Sequence, residues 1–302
     1  MEGWFWRFTD AASGRVVVAL CGINRHPAGD WATVAVAVHP GLIVRSAVLE
    51  LAEASRDELL LSAGTVAGDL IEATADHLRV VLGDLRLDVD IADSVDWPKG
   101  LGGGGLFSAL PYLNQYWHPY RLGGTAIGHL EQRGERWELD GYTLYAERNW
   151  GAGFPDLWWW GQAHDFPGHD LCVVFTGGLL RLGPVGRPVG GVVLRHGDEV
   201  IRITPPGFVR SDITPNRWVV TARSLRYRVR LEGSGRGVLP HVLPVPIPDE
   251  RRNVDRDFEH LAGHLRCTLH HRGQLVLDAT SNLAGLEVGS LPGVQLPSDA
   301  PS

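Results

Sequence analysis

One short stretch of this sequence combines acidic, basic and aromatic side chains at spacings that could support acid catalysis. It runs from residue 142 to residue 166 and contains Glu147, His164 and Asp165 among tyrosines and tryptophans. A carboxylic acid that an apolar pocket keeps protonated can donate a proton to an alkene. Tryptophan faces attract the cationic charge that then develops, by about 0.5–2 kcal/mol each. We therefore take Asp165 and Glu147 as candidate catalytic acids and His164 as a candidate proton relay.

Two extended segments would place these side chains on a pocket wall. Residues two apart in a strand share a face, so Glu147 lies with Tyr145 and Asn149, while His164 lies with the alternate tryptophans before it. The substrate-binding residues expected from these segments are Tyr145, Asn149, Trp150, Trp158, Trp160 and Gln162. As alternatives, Glu147 could pair with Arg148 or another arginine, and the tryptophans could form an inter-domain core. Asp165 and His164 could equally be hydrogen-bonded loop residues.

Two other segments repeat the two-residue spacing of aromatic side chains. They are Trp4 and Trp6, and the set Tyr112, Asn114, Tyr116 and His118. We expect the two tryptophans to cover one end of the pocket, with plain core as the alternative. Asparagine and histidine beside tyrosines are unusual in an apolar core strand, so we expect the second set to contact ligand. A water-facing sheet surface is the alternative for that set.

Other patterns do not indicate a metal or cofactor site. His260 and His264 have helical i, i+4 spacing, but no glutamate lies between them as in a HExxH motif, and no cysteine pair is present. We expect no metal and no cofactor. The alternating Arg226, Arg228 and Arg230 could touch an anionic head group, but a solvated sheet face is the favoured interpretation.

Composition limits the classes of function. The chain has 302 residues, 44% of them hydrophobic and 21% charged, with a net charge of −7. The acidic balance argues against nucleic-acid binding, and no apolar run reaches the roughly 18 residues of a membrane span, which leaves peripheral membrane contact open. Three scattered cysteines and the lack of a signal-peptide pattern favour a cytoplasmic location. A single lysine, Lys99, among many arginines suggests a bacterial, high-GC coding bias.

The elements that must position these residues are predicted to be strands. Short alternating segments are separated by turns rich in glycine and proline, of which the chain has 38 and 19. Two weak helices are predicted at 55–61 and 255–265, and no segment sustains a long helical stripe. The Pro/Gly-rich stretch 96–106 indicates a boundary, so we expect an all-β protein with domains at 1–110 and 111–302.

The central stretch resembles the signature of the tocopherol cyclase family. The matching residues are Glu147-Arg148-Asn149-Trp150-Gly151, then Phe154-Pro155, then Trp158-Trp159-Trp160-Gly161-Gln162. The opening residues 2–7 and the segment Leu283–Glu287 resemble the family's two ends. Arg148 departs from the family's usual lysine, and Trp159 makes an uninterrupted triple tryptophan. The resemblance implies two consecutive lipocalin-like β-barrel or half-barrel domains packed together, as in carotenoid hydratases and lipocalin-type pericyclases.

The resemblance and the residues together favour one function over two others. We expect a cofactor-free cyclase, an intramolecular lyase or isomerase that closes a ring in a prenylated aromatic or other isoprenoid or polyene substrate by acid catalysis. The competing hypotheses are a carrier of lipophilic ligands without chemistry, and a pericyclase of natural-product biosynthesis. The expected partner is a hydrophobic small molecule, and the sequence predicts no oligomeric state.

Overall fold

The described part of the chain is built almost entirely of antiparallel strands. The computed structural model describes residues 1–54, 60–98, 102–105, 108, 113–182, 185–235 and 237–297. The all-β prediction is confirmed: these ranges contain no α-helix, and a 3-10 turn at Pro248–Glu250 follows the twenty-first strand. Within the same ranges, no helix has the length and apolar character needed to cross a membrane.

The first sheet contains thirteen strands of the described residues. They are β1 (Glu2–Asp10), β2 (Arg15–Asn24), β3 (Trp31–His39), β4 (Ile43–Leu49), β5 (Leu51–Ala54), β6 (Leu61–Gly64), β7 (Leu70–Ala73), β8 (His77–Leu82), β9 (Leu85–Ala92), β10 (Gln115–Arg121), β11 (Thr125–Gln132), β12 (Glu135–Glu138) and β13 (Thr143–Gly151). Their order is β4-β3-β2-β1-β13-β11-β9-β8-β7-β6-β5, with β10 beside β13 and β12 beside β11.

The second sheet contains ten strands. They are β14 (Leu157–Ala163), β15 (Leu171–Leu182), β16 (Val185–His196), β17 (Glu199–Ile203), β18 (Phe208–Thr214), β19 (Arg217–Arg223), β20 (Tyr227–Ser234), β21 (His241–Ile247), β22 (Arg252–His271) and β23 (Gln274–Ser290). Their order is β17-β16-β15-β14-β23-β22-β20-β19-β18, with β21 beside β22. The helix predicted at 255–265 is therefore wrong, because these residues lie inside β22. Of the other predicted helix, residues 55–59 lie outside the described ranges.

The chain forms two compact units that interleave along the sequence. The first unit comprises Met1–Trp97, Pro119–Gly153 and Leu243–Asp255, and the second comprises Pro98–His118, Phe154–Val242 and Arg256–Ser302. This division differs from the single boundary predicted near residue 110. The physical reason is long-range pairing: β1 aligns with β13 from Glu2 opposite Trp150 to Thr9 opposite Thr143, which draws β13 into the first sheet.

Side chains alternate between the two faces of β1, and one of these faces contributes to the core of the first unit. Trp4, Trp6 and Phe8 point to one face and are at most 2% exposed. They pack among the valines, alanines and leucines of the neighbouring strands. The structure thus places Trp4 and Trp6 in the hydrophobic core, which was the alternative to a pocket cover.

The middle residue of the tryptophan triplet, Trp159, belongs to the core of the second unit. Trp159 packs with Phe175, Leu286 and Val288 in one buried cluster. Gly161 is needed beside this cluster, since a Cβ there would lie 2.4 Å from Cζ of Phe175. Because successive residues of a strand alternate, the flanking tryptophans take the opposite face of the sheet.

A glycine in β11 tests the register of the first sheet. Gly128 has φ +150°, and a Cβ there would lie 2.1 Å from the Asp88 carbonyl oxygen of β9. We expect Gly128→Ala to lower the free energy of unfolding by about 3 kcal/mol or more, because backbone cannot yield as a side chain can. Gly134, with φ +79° and nothing within 4 Å, is the matched control. Gly134→Ala should cost only about 1 kcal/mol. Equally small losses in denaturant unfolding would contradict this pairing.

Candidate active site

Three neighbouring strands of the second sheet bring acidic and aromatic side chains into one row. Trp160 of β14 lies opposite Glu287 of β23, and Glu287 lies opposite Glu259 of β22. Directly opposite residues of antiparallel strands point to the same face. The three side chains therefore form a continuous row across β14, β23 and β22.

The adjacent row repeats the arrangement with a glycine at its centre. Trp158 lies opposite Gly289, and Gly289 lies opposite Asp257. A Cβ at Gly289 would lie 2.0 Å from Cζ2 of Trp158, so the indole ring occupies the space that a side chain would fill. From this position the indole Nε1–H of Trp158 donates a hydrogen bond to Oε1 of Glu287. The glycine thus allows an aromatic ring to lie beside the carboxyl groups.

The carboxyl groups of these rows are removed from water. Glu259 is fully buried and Asp257 is 8% exposed. Burial, together with the negative charges of Glu287 and Glu259, raises the pKa of Asp257 well above its ordinary range. Asp257 and Glu287 are also joined by a side-chain hydrogen bond. Two carboxyl groups can form such a bond only if one of them carries a proton.

We assign the proton of this pair to Asp257 on two observations. Glu287 already accepts the indole N–H of Trp158, which stabilises its ionised form. Asp257 has the raised pKa, and its Oδ1 atom is buried without a hydrogen-bond partner among the described residues. The arrangement is a protonated acid next to an ionised carboxylate, a combination suited to delivering and recovering one proton.

The predicted residues of β14 lie on this same face. Trp158 and Trp160 are 5% and 4% exposed, and Gln162 is fully buried. Gln162 Nε2 lies 3.0 Å from Nδ1 of His164, just past the end of the strand. At about 3.3 Å per residue, His164 is roughly 13 Å along the strand direction from Trp160. The predicted residues Trp158 and Trp160 therefore adjoin the carboxyl groups, whereas His164 lies farther along the strand direction.

The predicted acid and relay after β14 lie near a different ion pair. Arg195 binds Asp170 through two hydrogen bonds of 2.8 and 2.5 Å, which hold the pKa of Asp170 below its ordinary value. His164 contributes to this local field. Asp165 follows His164 in the loop and is partly exposed. The structure does not bring these two residues to the row formed by Trp160, Glu287 and Glu259.

A second buried polar pair occurs in the first unit. The hydroxyl of Tyr145 donates a 2.6 Å hydrogen bond to Oε2 of Glu147, and both side chains are buried. Asn149 shares their face of β13, as the alternation predicted. Arg148 takes the other face, where it pairs with Glu2 and lies 5.3 Å from the Trp4 ring centre. The Glu147–Arg148 pair considered from the sequence is thus replaced by Tyr145–Glu147 and Glu2–Arg148.

The remaining predicted binding residues are Trp150 and the residues in and just before β10. Trp150 is half-buried, with the Arg148 guanidinium 5.9 Å from its ring. In the second unit, Tyr116 and His118 are half-buried along β10, and Asn114 precedes the strand. The backbone N–H of Gly103 donates to Nδ1 of His118 at 3.3 Å, and burial lowers the pKa of this histidine. Tyr112 lies outside the described residues.

The three carboxyl groups were not among the sequence-predicted site residues. Glu287 did appear in the family-like segment Leu283–Glu287, without a role. Asp257 and Glu259 are two apart, which places both on one face of a strand, but the erroneous helix at 255–265 would separate them. The two-residue spacing of this acidic pair was the available signal.

His260 of β22 has partners in the interior of the second unit. His260 packs edge-on against Trp218 with ring centres 5.7 Å apart, and its Nε2 lies 3.3 Å from the Pro215 carbonyl oxygen. Its pKa is lowered by burial. In the part of the chain that the structure describes, no group of three histidine, cysteine or acidic residues is arranged to hold a metal ion.

The raised pKa of Asp257 has a measurable consequence for stability. Above the ordinary pKa of an aspartic acid, about 3.9, the folded protein retains a proton that the unfolded chain loses. The free energy of unfolding therefore falls as the pH rises from this value toward the raised pKa. Asp257→Asn removes this dependence, so we expect the variant to gain stability relative to the wild type as the pH rises from about 4 to neutral. Thermal unfolding across this range is the measurement.

A neighbouring aspartate provides a control of opposite sign. Asp278 of β23 is exposed, and its hydrogen bonds from Arg266 hold its pKa below the ordinary value. Its stabilisation is present above the ordinary pKa and is lost as the pH falls. Asp278→Asn should therefore lose stability at neutral pH and match the wild type in acid. If Asp257→Asn followed the same course, the assignment of the proton to Asp257 would be contradicted.

Comparison with known proteins connects this geometry to a family. Residues 77–290 match the family model described as tocopherol cyclase-like. Over 200 residues, 62% of this chain and 42% of the relative, the chain is 30% identical to a probable chloroplastic tocopherol cyclase from Oryza sativa subsp. japonica. A chloroplastic tocopherol cyclase from Zea mays is 28% identical over 210 residues, 64% of this chain and 43% of the relative. The chain thus spans less than half the length of these relatives.

The fold is also found in a solved structure. Kievitone hydratase from Nectria haematococca superposes with a TM-score of 0.54 and 14% identity, covering 96% of this chain and 88% of that one. This likeness concerns the fold. The family match spans the carboxyl groups of β22 and β23 and all of β14. The chain belongs to the tocopherol cyclase-like family.

Proposed function

We propose that the protein is a cofactor-free cyclase that closes a ring in a prenylated aromatic or other isoprenoid substrate. The observation that carries this proposal is the hydrogen-bonded carboxyl pair Asp257–Glu287 beside two buried tryptophans. A carboxylic acid that stays protonated at neutral pH is the group that acid-catalysed addition to an alkene needs. The names of the plant relatives support ring closure as the reaction type.

The proposed reaction is an isomerisation with no net uptake or release of protons. The O–H bond of the Asp257 carboxyl group breaks, and its proton adds to the less substituted carbon of a trisubstituted alkene. The tertiary cation that results is attacked by a hydroxyl oxygen of the substrate's aromatic ring, which forms the new C–O bond. The proton of that oxygen returns to the Asp257 carboxylate. Substrate and product therefore have the same mass.

The surroundings of Asp257 match the charge that develops. The π faces of Trp158 and Trp160 attract a carbocation by about 0.5–2 kcal/mol each, and more when water is excluded. The carboxylate of Glu287 adds negative potential in a buried setting, where charge interactions are strong. Holding the chain folded toward the ring would supply further acceleration.

Glu147 and Asp165 remain the other candidate acids, with His164 as relay. Glu147 has in Tyr145 a hydrogen-bonded neighbour that could pass a proton. Asp165 is partly exposed and lies away from the tryptophan rows. The buried Asp257 fits the role of a retained acid better than either, because desolvation is the main cause of its raised pKa.

Amide variants identify the acid. Asp257→Asn keeps the shape and a hydrogen-bond donor toward Glu287 but cannot deliver a proton as an acid. We expect its turnover of prenylated hydroquinones to fall about 100-fold or more, the scale of general acid catalysis. Ring-closed product of unchanged mass is measured by chromatography, and substrate affinity by quenching of tryptophan fluorescence. Asp165→Asn and Asp278→Asn are matched controls that should keep full turnover.

The outcomes separate the hypotheses. A 100-fold loss in Glu147→Gln or Asp165→Asn, with Asp257→Asn fully active, would transfer the acid role to that residue. Saturable quenching without product from any prenylated aromatic or polyene would favour the carrier of lipophilic ligands. Product formation that survives all three amide changes would favour the pericyclase, whose reaction needs no proton donor.

A further inference from the structure

One end of the second sheet exposes apolar side chains that the proposed catalytic site does not use. Leu225 lies in the turn between β19 and β20, and its side chain is 105% exposed. Phe208, the first residue of β18, is 58% exposed and pairs with Arg223 at the end of β19. Because Arg223 precedes the turn that carries Leu225, the two exposed apolar side chains lie at the same end of the sheet.

Arginines surround these apolar residues. Arg223 and Arg226 flank Leu225, and the backbone N–H of Arg272 donates a 2.8 Å hydrogen bond to the carbonyl oxygen of Arg226. This bond joins the β19–β20 tip to the β22–β23 tip. None of the three arginines forms an ion pair within the described ranges. At the other end of β19, in contrast, Arg217 pairs with Asp212 at 2.9 Å.

The local charge is opposite to that of the whole chain. The protein has a net charge of −7, yet this end presents three exposed guanidinium groups without carboxylate partners in the described ranges. Glu199 of β17 lies nearby and accepts a 2.5 Å hydrogen bond from the Tyr227 hydroxyl. Arg202, Phe208 and the residues 223–227 line an open groove of about 610 Å³ at this position.

We propose that this end docks the protein on an anionic lipid bilayer, with Leu225 and Phe208 inserted among the head groups and Arg223, Arg226 and Arg272 bound to lipid phosphates. An interfacial site combines a small apolar tip with a ring of cations in this way. Arginine stems can lie along the apolar region while their charged ends stay at the surface. The docking itself does not depend on the chemistry of Asp257.

Vesicle flotation of the full chain tests this docking. We expect binding to vesicles of phosphatidylcholine with phosphatidylglycerol, no binding to phosphatidylcholine alone, and weaker binding as salt is raised. Leu225→Ser should weaken binding about tenfold, the effect of losing one inserted leucine. Arg226→Gln should weaken it about fivefold, the effect of one cation at an anionic surface.

Two matched variants serve as controls. Val66→Ser removes an equally exposed aliphatic side chain, 103% exposed, from the β6–β7 turn, and Arg217→Gln removes an arginine from the far end of β19. Both should bind vesicles like the wild type. The docking proposal would be overturned by three results: no binding of the wild type to anionic vesicles, equal losses in the controls, or full competition by inorganic phosphate, which would indicate a site for a free anion.

Turnover measured in parallel separates this proposal from the cyclase. In detergent, where no bilayer is present, Leu225→Ser and Arg226→Gln should turn over prenylated hydroquinones at the wild-type rate. If turnover in detergent fell as much as vesicle binding, the two substitutions would be damaging the folded enzyme as a whole. That result would count against docking. An inactive wild type that still binds anionic vesicles would reject the cyclase and leave the docking intact.

Discussion

Burial of three carboxyl groups on one face of a sheet is the constraint on which the rest of the site depends. An isolated buried carboxylate costs several kcal/mol or more, so such a group must pair, bond or keep its proton. The register of β14, β23 and β22 leaves Asp257 and Glu259 side by side with Glu287. For Asp257 and Glu287, the hydrogen bond between them and the indole N–H on Glu287 satisfy this constraint with one retained proton.

The same strands provide both the core and the site. Along β14 the middle tryptophan, Trp159, packs into the core, while its two neighbours face the carboxyl groups. Along β23, Leu286 and Val288 are core residues, while Glu287 and Gly289 face the other way. Side chains carried on paired strands are held more firmly than those on loops, which suits a site that must retain a proton in one place.

Local patterns in the sequence predicted the faces of strands but not which strands become neighbours. Alternation correctly grouped Trp158, Trp160 and Gln162, and it correctly separated Glu147 from Arg148. It could not show that Asp257 meets Glu287, because that contact comes from pairing between distant segments. The helix predicted at 255–265 was likewise a local interpretation, and sheet pairing placed these residues in β22.

The central claim is that Asp257 holds a proton at neutral pH. Infrared spectroscopy of the wild type and of Asp257→Asn at pH 7 tests it most directly, because an un-ionised carboxylic acid has a C=O stretching band that a carboxylate lacks. We predict that the wild type shows this band and that Asp257→Asn loses it, while Asp165→Asn keeps it. A wild-type spectrum without the band, or a band that survives Asp257→Asn unchanged, would contradict the account.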